Sequence, residues 1–208
     1  MRRTLSVLVV LCAAAALLTT VSCQQTNTLR IASINEDKPI EIDIADFASY
    51  VDEDGDRFYE YMIPNGIVPM EFQYIEIGLG QPGWTPNTVQ IQEIKITYTD
   101  VIIGEGEAFG PYEQVKQIVD FQVESDPEGK ERTEVEVNIM PAHWIEAYFD
   151  GEIDEDPEGL GGYRTVAVLN AKIEAKGLDL TTNLEVEGEI EVLVNVGCYY
   201  DDPDRYGQ

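Results

Sequence analysis

Basic side chains are scarce in this chain. Thirteen lysines and arginines stand against 40 aspartates and glutamates, lysine occurs only six times, and the formal net charge is −27. So few cations cannot neutralise a run of phosphates, which speaks against nucleic acid as a partner. Direct adhesion to an anionic membrane face is disfavoured for the same reason. Histidine occurs once, at His143, and cysteine three times, at Cys12, Cys23 and Cys198. No Cys-x-x-Cys pair and no Cys/His cluster exists, so zinc and haem sites have no support. Helical periodicity is thin and strands do not alternate with helices, which argues against a parallel α/β sheet. No fixed-period repeat is present, and no apolar run after the N-terminal one is long enough to span a bilayer.

That one run is the most informative segment present. Arg2 and Arg3 precede an apolar stretch from Leu5 to Leu18, followed by Thr19-Thr20-Val21-Ser22-Cys23. The apolar part falls short of the roughly 20 residues a transmembrane helix needs. The segment resembles a bacterial lipoprotein signal, in which the cysteine is acylated and becomes the new N-terminus. Val21-Ser22-Cys23 fits that pattern, while Thr20 stands where the family prefers Leu, Val or Ile. The resemblance implies a signal peptide over residues 1–22, a lipidated Cys23 and a tether over 23–28. It places the protein in the cell envelope, on the periplasmic or surface side of an outer membrane or on the outer face of a single one. Gln24, rather than Asp, after the lipid cysteine resembles the outer-membrane sorting pattern. An ordinary cleaved signal with a coincidental cysteine is the alternative. Cleavage removes two arginines and no acid, taking the net charge from −27 to −29 over 186 residues, enough for one domain with a sizeable core.

Beyond the tether, period-2 patterns follow one another. Leu29, Ile31 and Ile34 suggest a first strand; Ile40, Ile42 and Ile44 alternate with Glu41 and Asp43. A run at Phe72, Tyr74 or Ile75, and Ile77 follows the turn signal Pro64-Asn65-Gly66. Val89, Ile91, Ile94, Ile96 and Tyr98 form a longer run whose alternation breaks after Ile91, predicting a β-bulge near Gln92-Glu93. Further runs span 115–123, 135–139, 166–173 and 184–196, for roughly eight strands at sandwich or barrel spacing. In the last, aliphatic residues from Leu184 to Val196 alternate with Glu185, Glu187, Glu189 and Glu191. Glutamates repeated on one face repel each other, so that face is expected to be open to water with Lys172 and Lys176 opposite. Pro141 opens a short helix through His143, Trp144, Ile145 and Ala147 to Phe149, ended by Gly151.

Ile31-Ala32-Ser33-Ile34-Asn35-Glu36-Asp37-Lys38-Pro39, the strand Ile94-Lys95-Ile96-Thr97-Tyr98-Thr99, the segment 137–141 and the closing hairpin 166–196 together resemble exported lipoproteins of environmental bacteria built as immunoglobulin-like sandwiches. The resemblance covers about two thirds of the mature chain and carries no catalytic residue. It implies an all-β fold: a single antiparallel Greek-key, immunoglobulin-like sandwich of about seven to nine strands over residues 29–198. One short helix near 142–149 and an acidic tail over 199–208 complete the expectation.

Candidate chemistry is concentrated in carboxylates. In Asp52-Glu53-Asp54-Gly55-Asp56 the acids at the first, third and fifth positions would converge on a hard cation if the backbone curls, as calcium loops do. Arg57 and Ile63 occupy the places where an EF-hand needs Gly and a bidentate Glu, so the expectation is a non-EF calcium site at Asp52, Asp54 and Asp56, with Glu60 as a further oxygen ligand. A solvated acidic turn is the competing reading. A second acidic loop runs from Asp150 to Gly159. No acid pair is set apart by an apolar context as a glycosidase requires, and no Gly-x-Ser-x-Gly elbow accompanies His143. His143 reads as part of a packed amphipathic turn, and Cys198 as a buried thiol near a strand end. Trp84, in the stiff loop Gln81-Pro82-Gly83-Trp84-Thr85-Pro86, is a candidate ligand-binding anchor or a lid folded over the core.

The resulting expectation is a non-catalytic, lipid-anchored envelope protein, a binding or assembly module, with calcium as its one candidate cofactor. Its partners would be the membrane, through the lipid on Cys23, and other envelope proteins or glycans. The alternative is a carbohydrate- or ligand-binding lipoprotein using loop aromatics, with a hydrolase third.

Overall fold

The computed structural model describes residues 28–51, 55, 57–75, 86–103, 112, 114–126, 130–149 and 164–199. The described residues form ten strands and one α-helix: β1 (Thr28–Ile34), β2 (Ile40–Asp43), β3 (Asp46–Val51), β4 (Arg57–Met62), β5 (Gly66–Ile75), β6 (Thr88–Ile103), β7 (Val115–Glu124), β8 (Thr133–Met140), α1 (Ala142–Phe149), β9 (Arg164–Asp179) and β10 (Glu185–Cys198). A three-stranded sheet has the order β1-β5-β8, and a five-stranded sheet the order β2-β10-β9-β6-β7; β3 and β4 pair only with each other.

The core lies between the two larger sheets because each strand is apolar on one face. Leu29 and Ile31 of β1, Met70, Phe72 and Tyr74 of β5, and Val137 and Ile139 of β8 are buried. From the other sheet come Ile40, Ile42, Ile91, Ile94, Ile96, Leu169, Ile173, Val194 and Val196. Each such side chain, fully buried, contributes about 1.5–3 kcal/mol of transfer free energy. The two sheets meet closely at Gly188: a Cβ there would lie 2.8 Å from the Leu29 carbonyl oxygen, so β1 crosses β10 at a position that has no room for a side chain.

The broken alternation in β6 is a bulge. Its ladders to both β7 and β9 shift register between Ile91 and Glu93, leaving Gln92 exposed. The extra residue restores phase, so Val89, Ile91, Ile94, Ile96 and Tyr98 all reach the core. The helix covers the expected residues. The Pro141 carbonyl accepts from the Trp144 and Ile145 amides, and the Asn65 side-chain oxygen, from the expected Pro-Asn-Gly turn, accepts from the Ala142 amide at 3.0 Å. That bond satisfies one of the helix's orphan donors from a different part of the chain.

Two expectations need correction. The described strands number ten, not seven to nine, because the β3–β4 ribbon was not anticipated. Its strands, Asp46-Phe47-Ala48-Ser49-Tyr50-Val51 and Arg57-Phe58-Tyr59-Glu60-Tyr61-Met62, lack the aliphatic alternation that marks the others. Nor are all pairings antiparallel: β2 runs parallel to β10, with Ile40 opposite Val194 and Ile42 opposite Val196. The cause is the crossing after β1. The chain leaves the three-stranded sheet at Ile34 and joins the other sheet at Ile40 without reversing, so it meets the last strand in the parallel sense.

That crossing is made by a left-handed turn. Asn35, Glu36 and Asp37 have φ of 51°, 54° and 60°, a region that L residues enter at a cost of about 1–2 kcal/mol each, asparagine and aspartate more readily than others. The Asn35 side-chain amide donates to the Pro39 carbonyl at 2.8 Å, and the Lys38 amide donates to the Asn35 carbonyl at 2.9 Å. The Asn and Pro of the opening motif therefore grip each other across the turn. Glu36 pays the steric cost with no grip of its own on the backbone, its side chain meeting only the exposed Lys38 ammonium. Glu36→Gly is expected to raise stability by about 1 kcal/mol, since the lost surface ion pair is worth less than the relieved strain. A urea midpoint unchanged or lowered by the substitution would contradict the account of the turn.

Candidate functional site

The acidic motif lies at the tip of the β3–β4 ribbon. Val51 pairs with Arg57 at the last rung, so residues 52–56 join the two strands. Asp52, Asp54 and Asp56 lie outside the described residues, and Gly55 has φ of +89°. Glu60 stands opposite Ala48 on the ribbon, three strand steps or about 10 Å from Arg57. Among the described residues, no group of three or more His, Cys, Asp or Glu gathers as a metal site. Cys23, Trp84 and the loop 150–159 also lie outside the described residues.

What sequence reasoning missed is a buried carboxylate at the other end of the sandwich. Asp179, the last residue of β9, is 0% exposed. Its Oδ2 accepts from the Tyr74 hydroxyl at 2.5 Å and, more weakly, from the Asn87 side-chain amide at 3.5 Å. Its Oδ1 accepts from the Thr181 and Thr182 amides, both at 2.8 Å. One side chain thus closes the β9–β10 turn and ties it to β5 in the opposite sheet. Nearby, the Asn87 amide donates to Ser125 Oγ, the Ser125 amide to the Asn87 carbonyl, and the Asp126 amide to the Tyr74 carbonyl. The signal in the sequence was an aspartate followed two and three residues later by threonines at a strand end, the pattern of an Asx turn. Nothing in the sequence places Tyr74 beside it. A carboxylate enclosed by these donors holds structure and offers no access to a substrate.

The outer face of the five-stranded sheet is a lattice of charges. Glu185, Glu187, Glu189 and Glu191 are exposed, as the repulsion argument requires. Lys172 bridges to Glu189 at 2.8 Å and to Glu174 at 3.5 Å; Lys176 meets Glu187 at 2.7 Å, Lys95 meets Glu174 at 2.8 Å and Lys116 meets Glu93 at 2.7 Å. Four of the six lysines therefore sit among the glutamates of one face. The hydrogen bond from Lys95, with Lys172 beside it, holds the Glu174 carboxyl below the usual range. Glu189 and Glu187 raise the Lys172 and Lys176 ammonium groups. A shallow cleft of about 400 Å³ opens on this face beside the bulge, lined by Glu93, Ile118, Lys176, Gly177, Glu185 and Glu187 among others. Its lining mixes Ile118 and Val186 with charged side chains.

Around α1 the aromatics are structural. Trp144 is 4% exposed and its ring lies 4.5 Å from Tyr148, 5.1 Å from Tyr112 and 5.2 Å from Tyr98 between centroids. The Tyr98 hydroxyl donates to the Ile139 carbonyl at 2.8 Å, and burial pushes its pKa well up. His143 belongs to the packed helix, but its own side chain faces solvent. Cys198 is a buried thiol at the end of β10. Packing continues one residue further, through the buried Tyr199, whose amide donates to Asp43 Oδ1 at 2.7 Å.

Tyr74→Phe should cost about 1–3 kcal/mol, because Asp179 stays buried and loses its shortest donor. Equal urea midpoints for the variant and the parent would refute the clasp. The lattice makes a signed prediction. Glu174 has a lowered folded pKa, so its contribution is complete above the ordinary glutamate pKa and disappears as pH falls through the lower folded value. Lys95→Met should flatten the acid side of the stability profile, and molar salt should do the same to the parent by screening. Superimposable profiles of urea midpoint against pH for parent and variant would exclude it.

No family model, curated protein or solved structure matches the chain, so its function has to be read from the residues and geometry above.

Proposed function

We propose that this protein is a non-catalytic, lipid-anchored module of the bacterial cell envelope that binds or assembles with other envelope components, held to its membrane by acylated Cys23. The observation that carries the reading is the N-terminal sequence: a basic start, a short apolar run and Val21-Ser22-Cys23. Four residues separate Cys23 from Thr28, where β1 begins, so the sandwich follows the anchor almost at once. Two or three acyl chains would hold such a domain far more firmly than one.

The fold is read as an immunoglobulin-type Greek key. In that scheme β1-β5-β8 corresponds to strands A, B and E, and β10-β9-β6-β7 to G, F, C and C′. The short β2 continues the first strand across to the second sheet, and α1 occupies the E–F connection. Strands β5 and β9 contain no cysteine, so the inter-sheet disulfide of antibody domains has no counterpart here. Sandwiches of this type commonly present loops at both ends for binding, and the acidic 52–56 loop would be one of them. Calcium held by Asp52, Asp54 and Asp56 would stiffen the tip of the β3–β4 ribbon, since an isolated two-stranded ribbon is marginal on its own. The non-catalytic reading is supported by Asp179, the one fully buried carboxylate among the described residues, being committed to closing a turn.

Expression in a diderm bacterium tests the anchor and the metal together. The parent is expected in the membrane fraction with an acylated N-terminal Cys23 by mass spectrometry, and Cys23→Ala in the soluble fraction. Calorimetry of the parent should show saturable calcium binding that persists in molar NaCl and is lost in Asp54→Asn and Asp56→Asn. An unmodified, soluble parent would remove the anchor. Heats that vanish in salt and ignore the two substitutions would remove the calcium and leave the acidity as a surface property.

A further inference from the structure

The turn between β9 and β10 carries no charge in a very acidic molecule. Residues 180–184 read Leu-Thr-Thr-Asn-Leu, and both leucines face solvent, Leu180 at 51% and Leu184 at 64% exposure. They are held there. Asp179 Oδ1 binds the Thr181 and Thr182 amides. The Asn183 amide donates to the Asp179 carbonyl, the Asp179 amide to the Leu184 carbonyl, and the Leu180 amide to the Thr88 carbonyl. A turn with its backbone so tied cannot fold its leucines back onto the core.

The chain's own geometry puts the membrane on this side. Leu29 lies over Gly188, and β2, a few residues later, pairs with β10 at Val194. The chain therefore advances away from the β9–β10 turn as it leaves Thr28, and Thr28 itself lies at the turn's end of the sandwich. Leu184 is four strand steps from Gly188, so the tip projects about 10 Å beyond the level of Thr28. The five residue steps from Cys23 to Thr28 span at most about 17 Å. With Cys23 fixed in the lipid, the tip is within reach of the surface. The opposite end, with α1 and the acidic ribbon, is a full strand length further away.

Taking the acylated Cys23 proposed above as given, we infer that the Leu180–Leu184 turn is a second membrane contact: its two leucines dip into the interfacial layer of the anchoring bilayer and set the orientation of the domain. Charge permits the contact at this turn. Carboxylate-covered flanks are repelled by anionic headgroups, whereas five uncharged residues with two exposed leucines are not, and apolar side chains gain by entering the interface. Glu185, just behind the tip, limits the depth. In this pose α1 lies at the end of the sandwich away from the membrane.

The test uses the mature acylated protein with Thr182→Cys in a Cys198→Ala background, labelled with a polarity-sensitive thiol dye. It is reconstituted on vesicles of phosphatidylethanolamine with a minor share of phosphatidylglycerol. The expected result is a blue-shifted emission that is quenched by lipids spin-labelled near the headgroup and returns to the aqueous value when Leu180 and Leu184 are both changed to Ser. A label on His143→Cys, at the far end, should stay aqueous. If mass spectrometry shows the acyl chains and the protein is vesicle-bound, yet the Thr182→Cys label reads as water, the contact is overturned and the anchor stands. If Cys23 carries no lipid and the protein stays in solution, both fall. A shift that appears without vesicles and grows with protein concentration would assign the leucines to a second copy of the chain, and would overturn the membrane contact.

Discussion

The structure depends on the pairing of two 16-residue strands, β6 and β9, through almost their whole length. With β10 and β7 on either side they form a long twisted sheet that is apolar on one face only. Such a face has to be covered, and the three-stranded sheet of β1, β5 and β8 is what covers it. The bulge in β6 keeps the inward residues in phase over this length. Gly177, opposite Ile91 on the β9 ladder, leaves room there: a Cβ on it would lie 2.7 Å from the Gln90 carbonyl oxygen.

Polar groups divide the same sandwich into two ends with different characters. One end is closed by hydrogen bonds converging on Tyr74, Asn87, Ser125 and Asp179, and it carries the uncharged β9–β10 turn. The other is closed by aromatic packing of α1 and by the left-handed turn at Asn35, and it leads to the acidic ribbon. Between them the exposed face balances glutamates with most of the lysines the chain possesses. The scarcity of lysine is thus also a matter of placement, because cations lie where like charges would otherwise line up across neighbouring strands.

Several features were legible because they depend on local periodicity. The alternation of Ile, Val and Glu in β10 gave a sheet with one wet face, and the step from Ile91 to Ile94 gave the bulge. Pro141 with the apolar spacing of Trp144, Ile145 and Phe149 gave the helix. Two further features followed a local pattern whose reason appeared only in three dimensions. Asn35 and Pro39 were visible as a motif, but their mutual hydrogen bond across a left-handed turn was not. Asp179 had the spacing of an Asx turn, but its partner Tyr74 is 105 residues away. The β3–β4 ribbon was missed because its aromatic and polar residues carry no aliphatic period, and the acidic loop drew attention to the tip rather than to the strands that hold it.

By itself the sequence determined the all-β class, most strand positions, the wet glutamate face, the buried Cys198 and the helix, since each of these follows from which neighbouring residues prefer water. Tertiary structure decided which strands become partners and which residues meet at the ends. It set the parallel pairing of β2 with β10, the mixed sheet order, the burial of Asp179 and the exposure of Leu180 and Leu184. Those outcomes rest on contacts between segments far apart in the chain, whose free energy appears only when the two sheets close on one another.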